Sequence, residues 1–354
     1  MQVHLKSKQP QRDKGSANAL AAVRGWVSRL ATLPAWPGLS GLGGLAGGGQ
    51  RAVTAVLLGP TCAVVRLEAR SNGLHLVAAE AVQIDEITGG TLSAADLARW
   101  KPLFRQSTGL LVLRSEDRFL AALDKPEVPD AELNLAVRWP MGEALGTEPE
   151  QLLTTALPLP RVNEAVRAQV LGIAARIEVV QAQLAALRLA GIDVRSVDVV
   201  DSALRGMALL QPELPASAVA VALVGHTMSI GLIQQGQICA LRSVPLPERD
   251  GHADADLAEQ LALNARRTFD HYERQAMLSQ RSADGASPAP MAIGRALASV
   301  GSLSQYGLDT FCSALPDSPQ LLDLAALLHL SPELAARCSG HDELTALACV
   351  AATR

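Results

Sequence analysis

Two stretches of the chain carry the same order of apolar and polar positions. The first opens at residue 52 with a continuous apolar run that ends in Gly59, and the second opens at residue 218 with a run that ends in Gly225. In each stretch a second apolar run, a short polar turn and a third run follow. Such runs, bounded by Gly, Pro and Asn, predict buried strands. The chain is therefore predicted to contain one three-stranded meander twice, about 165 residues apart, which indicates an internal duplication.

Helical periodicity separates these runs. Apolar positions at three- and four-residue spacing predict helices, and shorter apolar runs predict further strands. The predicted helices lie at 93–104, 177–190, 202–210, 254–278 and 343–353, and the strands at 109–114, 170–174 and 194–199. Gly191 directly follows one helix and suits its C-cap. Strands that alternate with helices predict an α/β protein.

Composition narrows the class of protein. The 354 residues are 49% apolar and 19% charged, which is enough for a large core and predicts two lobes. The five cysteines form no CxxC pair and the seven histidines form no HxH or HxxxH pair, so neither a disulfide framework nor a metal centre is expected. The GxSxG, HExxH, GxxxxGK[ST] and GxGxxG motifs are all absent, and no catalytic residues are predicted.

Charge divides the chain into a basic tail and an acidic body. Residues 1–51 hold seven Lys or Arg and one Asp, a charge of +6, so the total of −4 leaves −10 for the remainder. An acidic body is a poor partner for nucleic acid, whereas the tail suits an anionic membrane surface. Residues 17–33 have a helical apolar stripe, which fits either an interfacial membrane helix or a helix packed on the protein itself. Residues 34–50 are a linker rich in Pro and Gly.

No apolar run reaches 18 residues, and the polar start lacks the apolar stretch of a signal peptide. The protein is therefore expected to be cytoplasmic and at most peripheral to the inner membrane. The predicted organisation is a tail at 1–50, a first lobe at 51–205 with an inserted subdomain at about 116–160, and a second lobe at 206–354. The terminal helix is expected to return to the first lobe.

The duplicated meanders, each with a glycine after its first strand, resemble the actin-like ATPase fold, a duplicated ribonuclease-H-like fold. The resemblance implies two turns that hold ATP phosphates through backbone N–H groups, with an Asp two residues before each glycine that orients metal and water. The matching nucleotide-loop candidates here are Gly59, Thr61, Gly225, His226 and Thr227.

This sequence departs from that pattern at the residues that matter for catalysis. The two Asp positions are taken by Leu57 and Leu223, and Pro60 removes one backbone N–H from the first turn. The adenosine loop expected near residue 293 retains only Gly294. Because leucine cannot orient a magnesium-bound water, ATP hydrolysis is not expected, although bound ATP with Mg²⁺ stays open.

Four segments, in the same order as in the family, resemble the PilM-type pilus assembly proteins. They are 123–139 with Pro126, Val128, Pro129, Glu132 and Leu133; 187–205; 257–275 with Arg267, Phe269, Asp270, Tyr272 and Gln275; and 346–354. The ending of the first segment at 136–139 resembles the MshI branch, from the mannose-sensitive haemagglutinin (MSHA) pilus system. The resemblance covers about 52–354.

The resemblance implies a scaffold of a type IV pilus inner-membrane complex that binds the cytoplasmic N-terminal peptide of a PilN-like bitopic membrane protein. The peptide is expected to lie in a groove between the first lobe and the inserted subdomain. The candidate contact residues are Phe119, Leu123, Glu132, Leu133, Val137 and Trp139. For Trp139 an anchoring role and burial against the subdomain's own sheet both fit, and Glu132 also fits a solvated helix face.

Two other interpretations stay open. One is an actin-like protein that uses ATP as a structural or switching ligand. The other is the cytoplasmic module of a type II secretion platform, which has a similar architecture. Self-association, as in other actin relatives, is open in each case.

Overall fold

A computed structural model describes residues 52–84, 92–159, 167–213, 217–246, 256–268, 270, 296–299, 305–313, 320–339 and 341–354. Several predicted features lie outside these residues: the tail at 1–50, the segment around Gly294, and residues 254–255, 269 and 271–278 of the helix predicted at 254–278.

The strands of the described residues fall close to the apolar runs. They are β1 (Ala52–Leu57), β2 (Thr61–Arg70), β3 (Gly73–Gln83), β4 (Thr108–Leu113), β5 (Phe119–Asp124), β6 (Leu152–Pro158), β7 (Gln169–Arg176), β8 (Ser196–Val199), β9 (Ser217–Val224), β10 (Thr227–Gln234), β11 (Gln237–Pro245), β12 (Ala296–Ser299) and β13 (Gln320–Leu321).

The helices are α1 (Ala94–Trp100), α2 (Leu133–Ala136), α3 (Arg138–Leu145), α4 (Ile177–Leu189), α5 (Ser202–Leu209), α6 (256–268), α7 (Gln305–Ser313), α8 (Leu324–Leu327), α9 (Pro332–Ser339) and α10 (Asp342–Ala351). The C-cap predicted after α4 is confirmed: Gly191 has a φ of +71°, and its N–H donates to the Arg188 carbonyl at 2.8 Å.

Two five-stranded sheets share one topology. Their strand orders are β3-β2-β1-β4-β8 and β11-β10-β9-β12-β13. In both, the first strand pairs antiparallel with the second strand of its meander and parallel with the strand that follows the helical connection. The predicted duplication is therefore confirmed, and the chain has the actin-like, duplicated ribonuclease-H-like fold. We call the two sheets with their helices the first and second lobes.

A third sheet is inserted into the first lobe after β4. Its order is β5-β7-β6, and both pairings are antiparallel. The insertion was predicted at about 116–160, but its sheet runs from Phe119 to Arg176. The extension is needed because β7 is the central strand and supplies the hydrogen-bond partners of both β5 and β6. Residues 119–176 are called the insert below.

The central core lies between the two large sheets. Helices α5 and α10 occupy this layer and pack against each other and against β1, β2 and β9. The approach is closest at Gly206, where an added Cβ would lie 2.0 Å from the Cys349 carbonyl oxygen. The lobe boundary predicted between residues 205 and 206 falls inside α5, because this helix is continuous from Ser202 to Leu209.

Candidate functional site

The turn after β1 uses its own polar groups internally. The N–H of Gly59 donates to the Cys62 sulfur at 3.3 Å, and the Cys62 thiol donates to the Gly59 carbonyl at 3.1 Å. Burial raises the pKa of the Cys62 thiol, which keeps it protonated and able to donate. Pro60 has no N–H, and the Thr61 hydroxyl donates to Gln83 at 3.1 Å. The Gly59 N–H and the Thr61 hydroxyl, two groups that the sequence assigns to a phosphate, are therefore already hydrogen-bonded within the protein.

An arginine covers the same turn. A Cβ added at Gly59 would lie 2.5 Å from Arg114 Cδ, so the side chain rests directly on the glycine. Its Nε lies 3.3 Å from Asp117 Oδ2 and 3.9 Å from Glu116 Oε2. Two carboxylates thus partner the guanidinium and weaken its attraction for an added anion.

The turn after β9 is a two-residue hairpin loop. Val224 and Thr227 are paired across it, and Gly225 takes a φ of +59°, which a glycine adopts without strain. Gly225 and His226 are exposed, whereas Thr227 is buried with its hydroxyl 3.5 Å from Glu116 Oε1. Among the predicted loop residues, this second turn keeps its glycine and histidine open to solvent.

Both leucines that replace the expected Asp residues are core residues. Leu57 and Leu223 are each 1% exposed. The side chain of Leu57 belongs to the central core, and that of Leu223 to a separate apolar cluster on the outer face of the second lobe with Val221 and Phe311. The interpretation that the two leucines occupy equivalent positions is therefore wrong. The connection between β1 and β2 has three residues, and that between β9 and β10 has two. Aligning the two turns on their glycines therefore shifts the two strands by one residue relative to each other, and a shift of one residue places a side chain on the opposite face of a sheet.

A buried ion pair of the first lobe contacts the second lobe beside these turns. Arg118 Nε donates to Asp201 Oδ2 at 2.7 Å, and Arg118 Nη2 donates to Asp201 Oδ1 at 2.6 Å. Ser229 and Ser243, which face each other on β10 and β11, also donate to Asp201 Oδ1, at 2.7 and 3.0 Å. Sequence reasoning missed this cluster. Asp201 lies within the 187–205 segment that resembles the family, but no local pattern pairs it with a residue 83 positions away.

The helical part of the insert carries two apolar stripes. The first contains Leu133, Val137 and Met141, all of which are at most 2% exposed. The second contains Leu135 and Trp139, which are 60% and 67% exposed. Backbone hydrogen bonds from Val137 to Leu133 and from Met141 to Val137 make α2 and α3 one nearly continuous helix. The stripes therefore lie on different sides of it, because four residues are about one turn.

These positions revise the predicted contact surface. Leu133 and Val137 form the core of the insert, because their stripe faces β6 and β7, and they present no surface to a partner. Trp139 is not buried against the sheet, so that interpretation is wrong. Phe119 and Leu123 are half-buried on β5, where they pack beside the small cluster around Met141, and Glu132 is exposed. Leu135, which sequence reasoning did not select, joins Trp139 on the surface.

The insert is acidic, with eight Asp or Glu and five Lys or Arg over residues 119–176, a net charge of −3. The acidic excess lies in residues 119–159, which contain seven Asp or Glu and two Lys or Arg, a net charge of −5. Several of the carboxylates flank the exposed stripe along the chain and are themselves exposed: Glu127, Asp130, Glu132, Glu143 and Glu148. An exposed apolar pair within an acidic surface suits a basic partner that carries an apolar anchor.

Metal and membrane features add little to this site. Within the described residues no group of three His, Cys, Asp or Glu side chains is arranged to hold a metal ion. None of the helices in the same part of the chain combines the length and the apolar character needed to cross a bilayer.

The architecture places the chain in the class of proteins with the actin-like ATPase fold. No family model and no curated protein matches the sequence. The fold is similar to a solved structure described as a PilM-PilN type IV pilus biogenesis complex, with a TM-score of 0.55 and 20% identity, over 84% of this chain and 98% of that chain. The cytoplasmic domain of EpsL, an inner-membrane component of the type II secretion system of Vibrio cholerae, aligns over 71% of this chain and 82% of its own, with a TM-score of 0.43 and 13% identity. At these identities the likeness shows the fold.

Proposed function

We propose that this protein is a cytoplasmic scaffold of a type IV pilus inner-membrane assembly of the MSHA kind. It binds the N-terminal peptide of a PilN-like membrane partner through its insert. Support comes from the likeness to a structure described as a PilM-PilN complex and from the surface of the insert. The basic tail at 1–50 holds the protein near anionic lipid, which raises its effective concentration at a membrane-tethered partner.

The observation that carries the proposal is the exposure of Leu135 and Trp139. The next stripe of the same helix already supplies the core of the insert, so these two side chains are not needed for packing. Tryptophan is among the residues that contribute most to protein interfaces, and a cluster of exposed apolar side chains marks interaction sites. A partner residue that packs on the indole would remove this apolar surface from water.

Charge defines the rest of the partner. The net charge of −5 over residues 119–159 favours a basic segment and disfavours an acidic one. Because most of these carboxylates are exposed, they steer association more than they fix affinity, and added salt should weaken them. The peptide proposed here is therefore short and basic with at least one apolar anchor.

The protein performs this role as a scaffold without nucleotide chemistry. In the first turn the Gly59 N–H donates to Cys62, the Thr61 hydroxyl donates to Gln83, and Arg114 covers Gly59. Leu57 brings no carboxylate to the turn. These observations support a fold that has been kept for recognition.

A binding titration tests the proposal. A fluorescein-labelled peptide that spans the cytoplasmic N-terminus of the PilN-like protein from the same genome is titrated with the full chain, and anisotropy is measured. Trp139→Ala should raise Kd about tenfold or more, and Leu135→Ala should raise it less. Leu189→Ala is the matched control, because Leu189 is 91% exposed on α4, outside the exposed stripe, and should leave Kd unchanged. Equal affinity of the wild type and Trp139→Ala would show that the exposed stripe of the insert does not bind the peptide.

A further inference from the structure

The position of Arg118 in the chain sets it apart from the other ion-paired arginines. It directly precedes Phe119, the first residue of β5, so its backbone is the root of the insert. Asp201 directly precedes α5 at the end of the first-lobe sheet, and Ser243 lies in β11 of the second lobe. One side chain therefore contacts groups from both lobes while its own backbone begins the insert.

The hydrogen bonds of the cluster converge on a single carboxylate. Asp201 Oδ1 accepts from Arg118, Ser229 and Ser243, and Asp201 Oδ2 accepts from Arg118 Nε. Arg118 Nη2 also donates to Ser243 Oγ at 2.5 Å. Two parallel N–H···O contacts between a guanidinium and a carboxylate form the strongest common ion-pair geometry.

Burial makes this geometry demanding. Arg118 is 8% exposed, Asp201 1% and Ser229 5%. A buried charge that loses its partner is strongly destabilising, whereas a solvent-exposed pair such as Arg167–Asp124, at 87% and 62% exposed, contributes little. If the second lobe moved away, Ser229 and Ser243 would leave the carboxylate, and water would reach the ion pair that is now buried. The cluster therefore favours one arrangement of the lobes.

We propose that Arg118 is a built-in cation that latches the two lobes together and fixes the root of the insert to that latch. In the fold this chain resembles, nucleotide and metal lie between the lobes. Here an internal guanidinium, bound to a carboxylate of the first lobe and hydroxyls of the second, joins them without an added ligand. The closure of the lobes and the orientation of the insert are coupled through this one residue. The latch does not depend on which partner the insert binds.

The double variant Ser229→Ala/Ser243→Ala tests the latch most selectively. It removes the three hydrogen bonds between these serines and the pair but leaves Arg118 and Asp201 bonded to each other, so no buried charge is left unpaired. Hydrogen exchange of the full chain is followed by mass spectrometry. The rate of amide exchange should rise about tenfold in β10 and β11, which corresponds to the loss of roughly one net hydrogen bond. The rate should also rise in β5. Ser339→Ala, which removes an exposed hydroxyl on α9, should change neither region.

The variant Arg118→Met is a second test of the latch. It keeps an apolar side chain and removes the charge, so it should raise the rate of exchange in the same three strands by more than the serine double variant does. Asp201→Asn added to Arg118→Met should restore folding stability in part, since the unpaired carboxylate is gone, while exchange in β5 stays fast. If exchange in the serine variant rises in β10 and β11 but not in β5, the proposed coupling between the lobes and the insert is wrong. Unchanged exchange in all three strands would overturn the latch itself.

Discussion

Leu57 and Leu223 lie on opposite sides of the sheets that carry them relative to the central core. Leu57 points into the layer between the lobes with Ala55, and Leu223 points away from that layer with Val221. An acidic residue at either position would enter apolar packing. The apolar character of these positions is therefore part of how the cores are built.

Magnesium-ATP is expected to leave the melting temperature of the protein unchanged. In the first turn the Gly59 N–H and the Thr61 hydroxyl already donate within the protein and Pro60 has no N–H, whereas a ligand at 100 times its Kd would stabilise the fold by about 2.7 kcal/mol. Thermal unfolding is followed with and without millimolar ATP and Mg²⁺. A rise in melting temperature that depends on ATP concentration would contradict the expectation.

Leu57→Asp should destabilise the protein without creating a nucleotide site. The carboxylate would be buried among the apolar side chains of the central core, and we expect a loss of at least about 3 kcal/mol in the free energy of unfolding. Urea unfolding measures the loss. A variant that is as stable as the wild type and whose melting temperature rises with ATP would show that this turn can form a nucleotide site.

The two meanders could be predicted from the sequence because their information is local. Each strand is a continuous apolar run, and each turn carries Gly, Pro or Asn, so pattern and turn chemistry agree. The end of the insert was missed for a related reason. The strand at 170–174 was predicted correctly, but its role as the central strand depends on pairing with β5 and β6, which are distant in sequence.

The details of the site depend on tertiary contacts that no local pattern contains. Leu133 and Leu135 are the same residue type two positions apart, and only the placement of β6 and β7 decides which is buried. Arg118 and Asp201 are both followed by ordinary strand or helix residues, and their pairing across 83 positions leaves no periodic signal. Resemblance to a family found the fold, but it supplied no role for either residue.

Leu133→Ala and Leu135→Ala should differ sharply in stability. Leu133 is 2% exposed and packs in the insert, so its truncation should cost about 2–5 kcal/mol. Leu135 is 60% exposed, and its truncation should change the free energy of unfolding by less than about 0.5 kcal/mol. Urea unfolding of both variants provides the comparison, and each serves as the control for the other. Similar losses would mean that the exposed stripe is packed in solution.

The cysteines should react in an order set by burial. Cys349 is fully buried and burial raises the pKa of its thiol to about 12; burial likewise raises the pKa of Cys338 to about 11. The thiolate is the reactive form, so both should resist iodoacetamide in native buffer at neutral pH. Half-buried Cys312 should be modified before them. Peptide mass spectrometry gives the rates, and modification of Cys349 at the rate of Cys312 without unfolding would contradict the packing of α10.

Acidification should weaken the contact between β3 and the segment after α8. The rings of His75 and His329 stack at 4.6 Å, and burial, followed by the charges of Arg70 and His329, lowers the pKa of His75 below 6.5. The unfolded state therefore binds more protons as pH falls, so the contribution to stability is present above the ordinary histidine pKa and is lost below it. Glu68 acts in the opposite direction, but its effect is smaller. Urea midpoints at pH 7.5 and 5.5 should differ less in His75→Gln than in the wild type, and equal differences would refute the assignment.

Gly206→Ala should be among the most disruptive single methyl additions in this protein. The new Cβ would lie 2.0 Å from the Cys349 oxygen and 2.5 Å from its carbonyl carbon, and both are backbone atoms that cannot rotate away. Helix α5 would have to move off α10 within the central core, at a cost of about 3 kcal/mol or more. Gly146→Ala is the control: its Cβ would meet no heavy atom within 4 Å, and only its φ of +59° opposes the change, by about 1–2 kcal/mol. Urea unfolding should rank the two variants in this order, and a smaller loss at Gly206 than at Gly146 would show that the two helices lie farther apart in solution.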